Sequence, residues 1–147
     1  MPLWAQKYVR SADSFRFDIV EHVMLVVHAD IPPDEHDWAR MTVVRNANRA
    51  RIRGTLVIAQ PRASLSASQR ADVAQFMKST GTSVAVVTDS ALIRGVARAV
   101  AFLGVNVRAF APAELPGALG FLLVPQAKQS DMLRRIEAMQ AQLASRI

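Results

Sequence analysis

Short apolar segments along the chain have the pattern of β-strands. Residues 15–21 alternate apolar and polar side chains, which is typical of a strand with one buried face. Residues 23–28 form a continuous apolar run, as expected for a strand that is covered on both faces. Only Glu21 and His22 separate the two runs, so we predict an antiparallel hairpin. Further strands are predicted at residues 55–59, 83–88 and 105–110.

Segments with helical periodicity lie between the later strands. The first follows the proline-containing, acidic residues 30–35 and ends in a basic stretch before Gly54. Further helices are predicted at residues 67–79, 91–103, 113–123 and 128–146. The residues expected to face the core are Trp38, Met41, Val44 or Arg45, and Ala47 or Asn48 in the first helix, Val73, Phe76 and Met77 in the second, and Leu92, Val96, Val100 and Leu103 in the third.

The alternation of strands and helices indicates an α/β fold. A mostly parallel sheet of about five strands, opened by an antiparallel hairpin, with helices packed around it, is the expected architecture. We expect one domain over residues 1–124, followed by a C-terminal amphipathic helix over residues 125–147. That helix either packs on the domain or serves for self-association through a near-heptad seam. The seam consists of Met132, Ile136, Met139, Leu143 and Ile147.

Composition narrows the class of protein. Hydrophobic residues make up 51% of the 147 residues, so a folded domain is expected rather than a disordered chain. Cysteine is absent, which excludes disulfides and thiolate metal sites. No apolar run reaches the roughly 20 residues that a membrane span needs. We therefore expect a soluble, cytoplasmic protein.

The positive charge has two interpretations. The formal net charge is +6, and a basic stretch of Arg45, Arg49, Arg51 and Arg53 follows the first helix. Such a stretch either binds nucleic acid or another acidic partner, or it is a solvated surface. The charges are spread along the chain, and aromatic residues are not interleaved with them. Nucleic-acid binding through residues 45–53 is therefore kept only as a further alternative.

The carboxyl ends of the predicted parallel strands contain polar residues that suit a ligand site. Asp30, Asp89, Ser90 and Arg94 follow strands in the sequence and are expected at one edge of the sheet. They form either a site for a small ligand or anion or, in the case of Asp30, Asp89 and Ser90, ordinary helix caps.

The sequence assigns no catalytic residues. His22, His28 and His36 have a spacing that fits no metal motif, and we expect His28 to be a packed histidine at a strand end. The Gly-x-Ser-x-Gly elbow of serine hydrolases and the glycine-rich loops of nucleotide-binding proteins are both missing. We expect no metal and no cofactor, and an enzyme is disfavoured.

Several segments resemble the STAS domain, the fold of bacterial anti-sigma factor antagonists in the SpoIIAA-like superfamily. They are VMLVVHADIPPDEHDWAR, SASQRADVAQF, AVVTDSALIRGVARAVAFLG and VRAFAPAELPGAL. The resemblance covers residues 15–123 and also extends to small uncharacterised bacterial STAS-like proteins. In anti-sigma antagonists a regulatory phosphoserine lies where a central strand meets the next helix. The matching turn contains Ser66 and Ser68, without the family's Asp-Ser pair.

These observations rank three functions. The resemblance implies a non-catalytic protein–protein interaction or regulatory module, which binds a protein partner or a second copy of itself. The alternative is a small-ligand or anion-binding domain that uses the carboxyl-end edge of the sheet. Nucleic-acid binding is the further alternative.

Overall fold

The computed structural model describes residues 13–144, and these form an α/β fold around a five-stranded sheet. The strands are β1 (Phe15–Val20), β2 (Val23–His28), β3 (Gly54–Ile58), β4 (Ser83–Val87) and β5 (Val107–Phe110), in the order β1-β2-β3-β4-β5. β1 pairs with β2 in the antiparallel direction, and all other pairs are parallel. The predicted fold class, including the opening hairpin, is confirmed.

Residues 13–144 also form five α-helices. They are α1 (Glu35–Ala47), α2 (Ala67–Thr80), α3 (Ala91–Ala101), α4 (Leu115–Phe121) and α5 (Gln126–Ala144). A 3-10 turn, Pro112–Glu114, precedes α4. α1 begins after the cap Asp34 and ends at Ala47, well before Gly54. Gly54 is instead the first residue of β3, where an added Cβ would lie only 2.9 Å from Cδ2 of Leu122. This close approach, rather than a helix end, explains the glycine.

The helices cover the two faces of the sheet in two groups. Along β2, Val23, Leu25 and Val27 pack against residues of α4 and α5, because alternate side chains point to the same face. Met24 and Val26 point the other way, toward α1 and α2. Because each crossover advances by one strand in the same direction, α1, α2 and α3 lie together on this second face.

The C-terminal helix packs on the sheet of its own chain. Met132, Ile136, Met139 and Leu143 are between 0% and 8% exposed and belong to one core cluster with β2, β3 and β4. Of the two predicted alternatives, the structure therefore shows the packed arrangement, and these four seam residues are not available on the surface. Ile147 lies outside the described residues.

α3 differs from its prediction in the face that it buries. Leu92 is 68% exposed and Leu103 is 58% exposed, whereas Ile93 and Ala97 are buried. The prediction was right for Val96 and Val100, which are half-buried and line the inner side of α3, and wrong for Leu92 and Leu103, because the apolar stripe of this helix is wider than the face that it buries. Among residues 13–144, no helix is long and apolar enough to cross a membrane.

Candidate functional site

The predicted edge residues take part in local structure. Asp30 accepts a hydrogen bond from the backbone N–H of Arg62 at 2.8 Å, which ties the β3–α2 loop to the end of β2. Ser90 caps α3, because its hydroxyl accepts from the backbone N–H of Ile93 at 3.2 Å. Arg94 donates to the carbonyl of Thr88 at 3.2 Å. Asp89 is exposed on the same turn. The structure thus brings these residues to one edge, and three of them have roles in holding its loops.

Ser66 and Ser68 are both exposed at the beginning of α2. Ser66 forms a capping box: its hydroxyl accepts from the N–H of Gln69 at 3.1 Å, and the Gln69 side chain accepts from the N–H of Ser66 at 2.9 Å. Gln69 is buried and also donates to the carbonyl of Pro33 at 3.2 Å. The Ser66 hydroxyl therefore has a structural role, and phosphorylation at either serine stays a prediction.

The basic stretch is divided between the interior and the surface. Arg45 is only 4% exposed, and its guanidinium donates two hydrogen bonds to the carboxylate of Asp72, at 2.9 and 3.0 Å. It also lies 4.4 Å from the ring centre of Phe76. Arg51 donates to the carbonyl of Glu21 at 2.9 Å. Arg45 is committed to the interior of the domain, so it cannot contact a phosphate backbone.

A cavity lies between the sheet and the layer formed by α1, α2 and α3. Its volume is about 120 Å³, and its wall is mostly apolar. The sheet contributes inward residues from β2 to β5, while α1 contributes Trp38 and Met41 and α2 contributes Val73 and Phe76. The inner side of α3 closes the cavity with Ile93, Val96, Ala97 and Val100.

His28 is a titratable residue of the cavity wall, and burial shifts its pKa strongly. Its side chain lines the wall, and the residue is 4% exposed. Burial lowers the pKa of its imidazole from 6.5 to about 4, so the ring is neutral at neutral pH. Its Nδ1 is buried without a hydrogen-bond partner, which costs roughly 1–3 kcal/mol for a buried polar atom. The ring centre of Phe15 lies 5.2 Å away.

The prediction of a packed strand-end histidine is therefore confirmed for His28. In the part of the chain that the structure describes, no group of three or more histidine, aspartate or glutamate side chains is placed to hold a metal ion. What the prediction did not include is the cavity beside this ring and its unpaired nitrogen.

The outer side of α3 is apolar and exposed. Phe102, which caps the helix, is 91% exposed, and Leu92 and Leu103 are more than half exposed. Between them, the small residues Gly95 and Ala99 are also exposed. Isolated apolar residues on a surface are ordinary, but a row of them along one helix marks an interaction surface.

Sequence reasoning missed the two features that stand out in the structure, the cavity and the outer side of α3. A signal for the second was present, because α3 and the turn after it contain more large apolar side chains than one buried face can cover, and the surplus ones favour contact with a partner. The cavity has no such signal, because it depends on the distance between two layers. No protein-family model matches this chain, and no curated protein resembles it closely enough to indicate a family.

Proposed function

We propose that this protein is a non-catalytic, STAS-like interaction module that binds a protein partner through the outer side of α3. The observation that carries the proposal is the exposure of Phe102, Leu92 and Leu103 on one helix of an otherwise well-folded domain. Burying apolar surface against a partner gains about 25 cal/mol of free energy for each Å² removed from water, which favours association at this surface.

The shape of this surface suits a second helix. Leu92 lies near the beginning of α3 and Phe102 at its end, with Gly95 and Ala99 between them. The small residues allow a partner backbone to approach closely, while the two large side chains fill the grooves on either side of it. Arg98 borders the surface and is exposed, so an acidic residue on the partner would complement it.

The beginning of α2 supplies a place for regulation in the same proposal. A phosphate on Ser66 or Ser68 would lie in the first turn of a helix and would add about −1.5 to −2 charge. Glutamate in place of either serine should change partner affinity if this turn regulates the contact. Equal affinity of the Ser66→Glu, Ser68→Glu and unchanged proteins would remove the regulatory part of the proposal.

Site-specific photocrosslinking in the native host distinguishes this surface from the rest of the molecule. A photoreactive residue at position 102 should give a discrete adduct, whereas one at position 140 should not, because Gln140 is exposed on α5 on the opposite side of the sheet. Leu92→Asp should abolish the adduct at position 102, while Gln140→Asp should leave it unchanged.

Both substitutions are at exposed positions, so the melting temperature should change little and loss of the adduct cannot be attributed to unfolding. The mass of the adduct states whether the partner is a second copy or a different protein. Adducts at positions 102 and 140 alike, or an adduct that survives Leu92→Asp, would contradict the proposal.

A further inference from the structure

The cavity under α3 has the size and wall of a small-molecule site. Its volume of about 120 Å³ is close to the ~150 Å³ of an engineered apolar cavity that takes up benzene. Five valines, one from each of β2, β3 and β5 and two from β4, form its floor, and α3 forms part of its roof. A space of this kind is occupied most favourably by one aromatic ring or a branched aliphatic group.

Of the five polar residues in the described part of the chain that line the cavity, three lie at one end of it, whereas Thr55 at the start of β3 and Arg45 near the end of α1 line it elsewhere. His28 ends β2, and the half-buried Ser64 and Arg70 come from the loop and helix that follow β3, so all three lie toward the carboxyl ends of the strands. The Nδ1 of His28 is buried and has no partner. A pocket with an apolar body and a few polar groups at one end is the usual form of a ligand site.

Arg70, which is half-buried, differs from Arg45, the buried arginine of the cavity wall. The charge of Arg45 is neutralised by Asp72. Arg70 instead donates to the carbonyl of Leu65 at 2.7 Å, and within residues 13–144 no carboxylate forms an ion pair with it. One positive charge on the cavity wall therefore lacks a counter-charge from the described residues.

We propose that this cavity binds a small monocarboxylic acid with an aromatic or branched apolar body. The apolar body occupies the space between the sheet valines and α3. The carboxylate pairs with the guanidinium of Arg70 and accepts a hydrogen bond from the imidazole of His28. Charge-assisted hydrogen bonds of this kind are stronger than neutral ones, and they satisfy both groups at once.

This inference does not depend on the partner surface. The ligand would touch the inner side of α3, through Ala97 and Val96, whereas a partner would touch the outer side, through Phe102 and Leu92. Failure of either proposal therefore leaves the other in place.

Calorimetric titration with benzoate and with benzyl alcohol tests the proposal. Both probes carry one ring, but only benzoate carries a negative charge at pH 7. We expect the full chain to bind benzoate with a Kd below ~1 mM and to bind benzyl alcohol at least about tenfold more weakly. Absence of benzoate binding, or equal binding of the two probes, would overturn the proposal.

Two matched pairs of variants locate the binding. Arg70→Gln should weaken benzoate at least about tenfold and leave benzyl alcohol unchanged, while Arg62→Gln, which removes an exposed charge near the same edge, should change neither. Ala97→Met should fill the cavity and abolish both probes, while Ala99→Met, on the outer side of the same helix, should abolish neither.

The Arg70→Gln variant loses the hydrogen bond from Arg70 to the carbonyl of Leu65. If this loss prevents folding, a third variant still tests the proposal. His28→Phe keeps a ring against Phe15 but removes the hydrogen-bonding nitrogens, so it should weaken benzoate and spare benzyl alcohol. Benzoate binding that is equal in the unchanged protein and in His28→Phe, with Ala97→Met also without effect, would place the anion outside the cavity and refute the proposal.

Discussion

The two faces of the sheet receive similar side chains from the strands but are covered in different ways. On one face, Leu25, Leu56 and Ala85 are fully buried beneath α4 and α5, and four side chains of α5 complete a continuous core. On the other face, Val57 and Val86 remain half-buried because the helical layer above them encloses a cavity.

The difference lies in what fills the space between the layers. The α5 side uses flexible and branched apolar residues, which adapt to one another and leave little empty volume. The α1–α3 side contains Trp38, Phe76 and the Arg45–Asp72 pair, which are larger and less adaptable than aliphatic side chains. The first face stabilises the fold, whereas the second gives up packing for a space that contains unpaired polar atoms, which is a common property of binding sites.

Removal of α5 should cause the largest loss in the free energy of unfolding. A chain that ends at Val124 loses four buried apolar side chains, each of which contributes about 1.5–3 kcal/mol. Their sum is comparable with the entire free energy of unfolding of a domain, roughly 5–15 kcal/mol. We expect no cooperative thermal transition in circular dichroism. A shortened chain that is a folded monomer by light scattering would show that α5 is not part of the core.

Protonation of His28 at acidic pH should lower the free energy of unfolding. The unfolded imidazole binds a proton near pH 6.5, while the folded one does so only near pH 4, so the unfolded state holds more protons between these values. The free energy of unfolding should therefore fall as the pH is lowered through this window, by about 3 kcal/mol at pH 4. Urea denaturation should show the unchanged protein losing stability relative to His28→Phe as the pH falls through this window, because the variant has no imidazole to protonate. Parallel profiles would mean that His28 is protonated in the folded state.

The ion pair between Arg45 and Asp72 should stabilise the packing of α1 against α2. Asp72→Ala leaves Arg45 buried without its carboxylate and removes the acceptor of the Trp38 indole N–H. Because Asp72 is partly exposed, we expect a loss of about 2–3 kcal/mol in the free energy of unfolding, somewhat below the range for fully buried pairs. The double variant Arg45→Met with Asp72→Ala should recover most of this loss. A single variant as stable as the unchanged protein would show that the pair does not hold the layer in place.

The same Val→Ala substitution at two neighbouring positions of β4 compares how tightly the two faces of the sheet are packed. Val87 is 3% exposed on the α4–α5 side, and Val86 is half-buried on the cavity side. Val87→Ala should cost about 2 kcal/mol, because it removes buried methyl groups from a packed core. Val86→Ala should cost less than about 1 kcal/mol, because that side chain already borders empty space. Equal losses in denaturant unfolding would remove the distinction between the two faces.

The sequence predicted the sheet better than it predicted the site. Strands β2, β3 and β4 are continuous apolar runs between turns, and such runs have few alternatives. Trp38, Phe76 and Met77 were also assigned correctly to the interior. In α3, Val96 and Val100 were assigned correctly to the inner side and Leu92 and Leu103 were not, because periodicity alone does not show which part of a wide apolar stripe is buried.

The candidate site depends on contacts between distant residues. Arg45 was grouped with the basic surface because its partner, Asp72, lies on the next helix and nothing in the local sequence connects the two. The same applies to Arg70 and His28, which come together only when β2 and α2 are placed on the sheet. Strand-end chemistry was expected, but the side chains chosen for it were exposed, as Asp30 and Asp89 are, or bonded to their own loop, as Ser90 and Arg94 are.

A pair of substitutions on α3 decides whether the α1–α3 side of the sheet contains a cavity. Ala97→Met adds a flexible side chain to the inner side, and Ala99→Met adds the same side chain to the outer side, so helix propensity is equal in both. The free energy of unfolding of Ala97→Met, measured by urea denaturation, should equal or exceed that of Ala99→Met by up to about 1 kcal/mol, because the new methylenes enter empty apolar space. A close-packed interior would instead lose about 1–3 kcal/mol to overpacking. A loss of that size in Ala97→Met alone would contradict the cavity and the ligand site built on it.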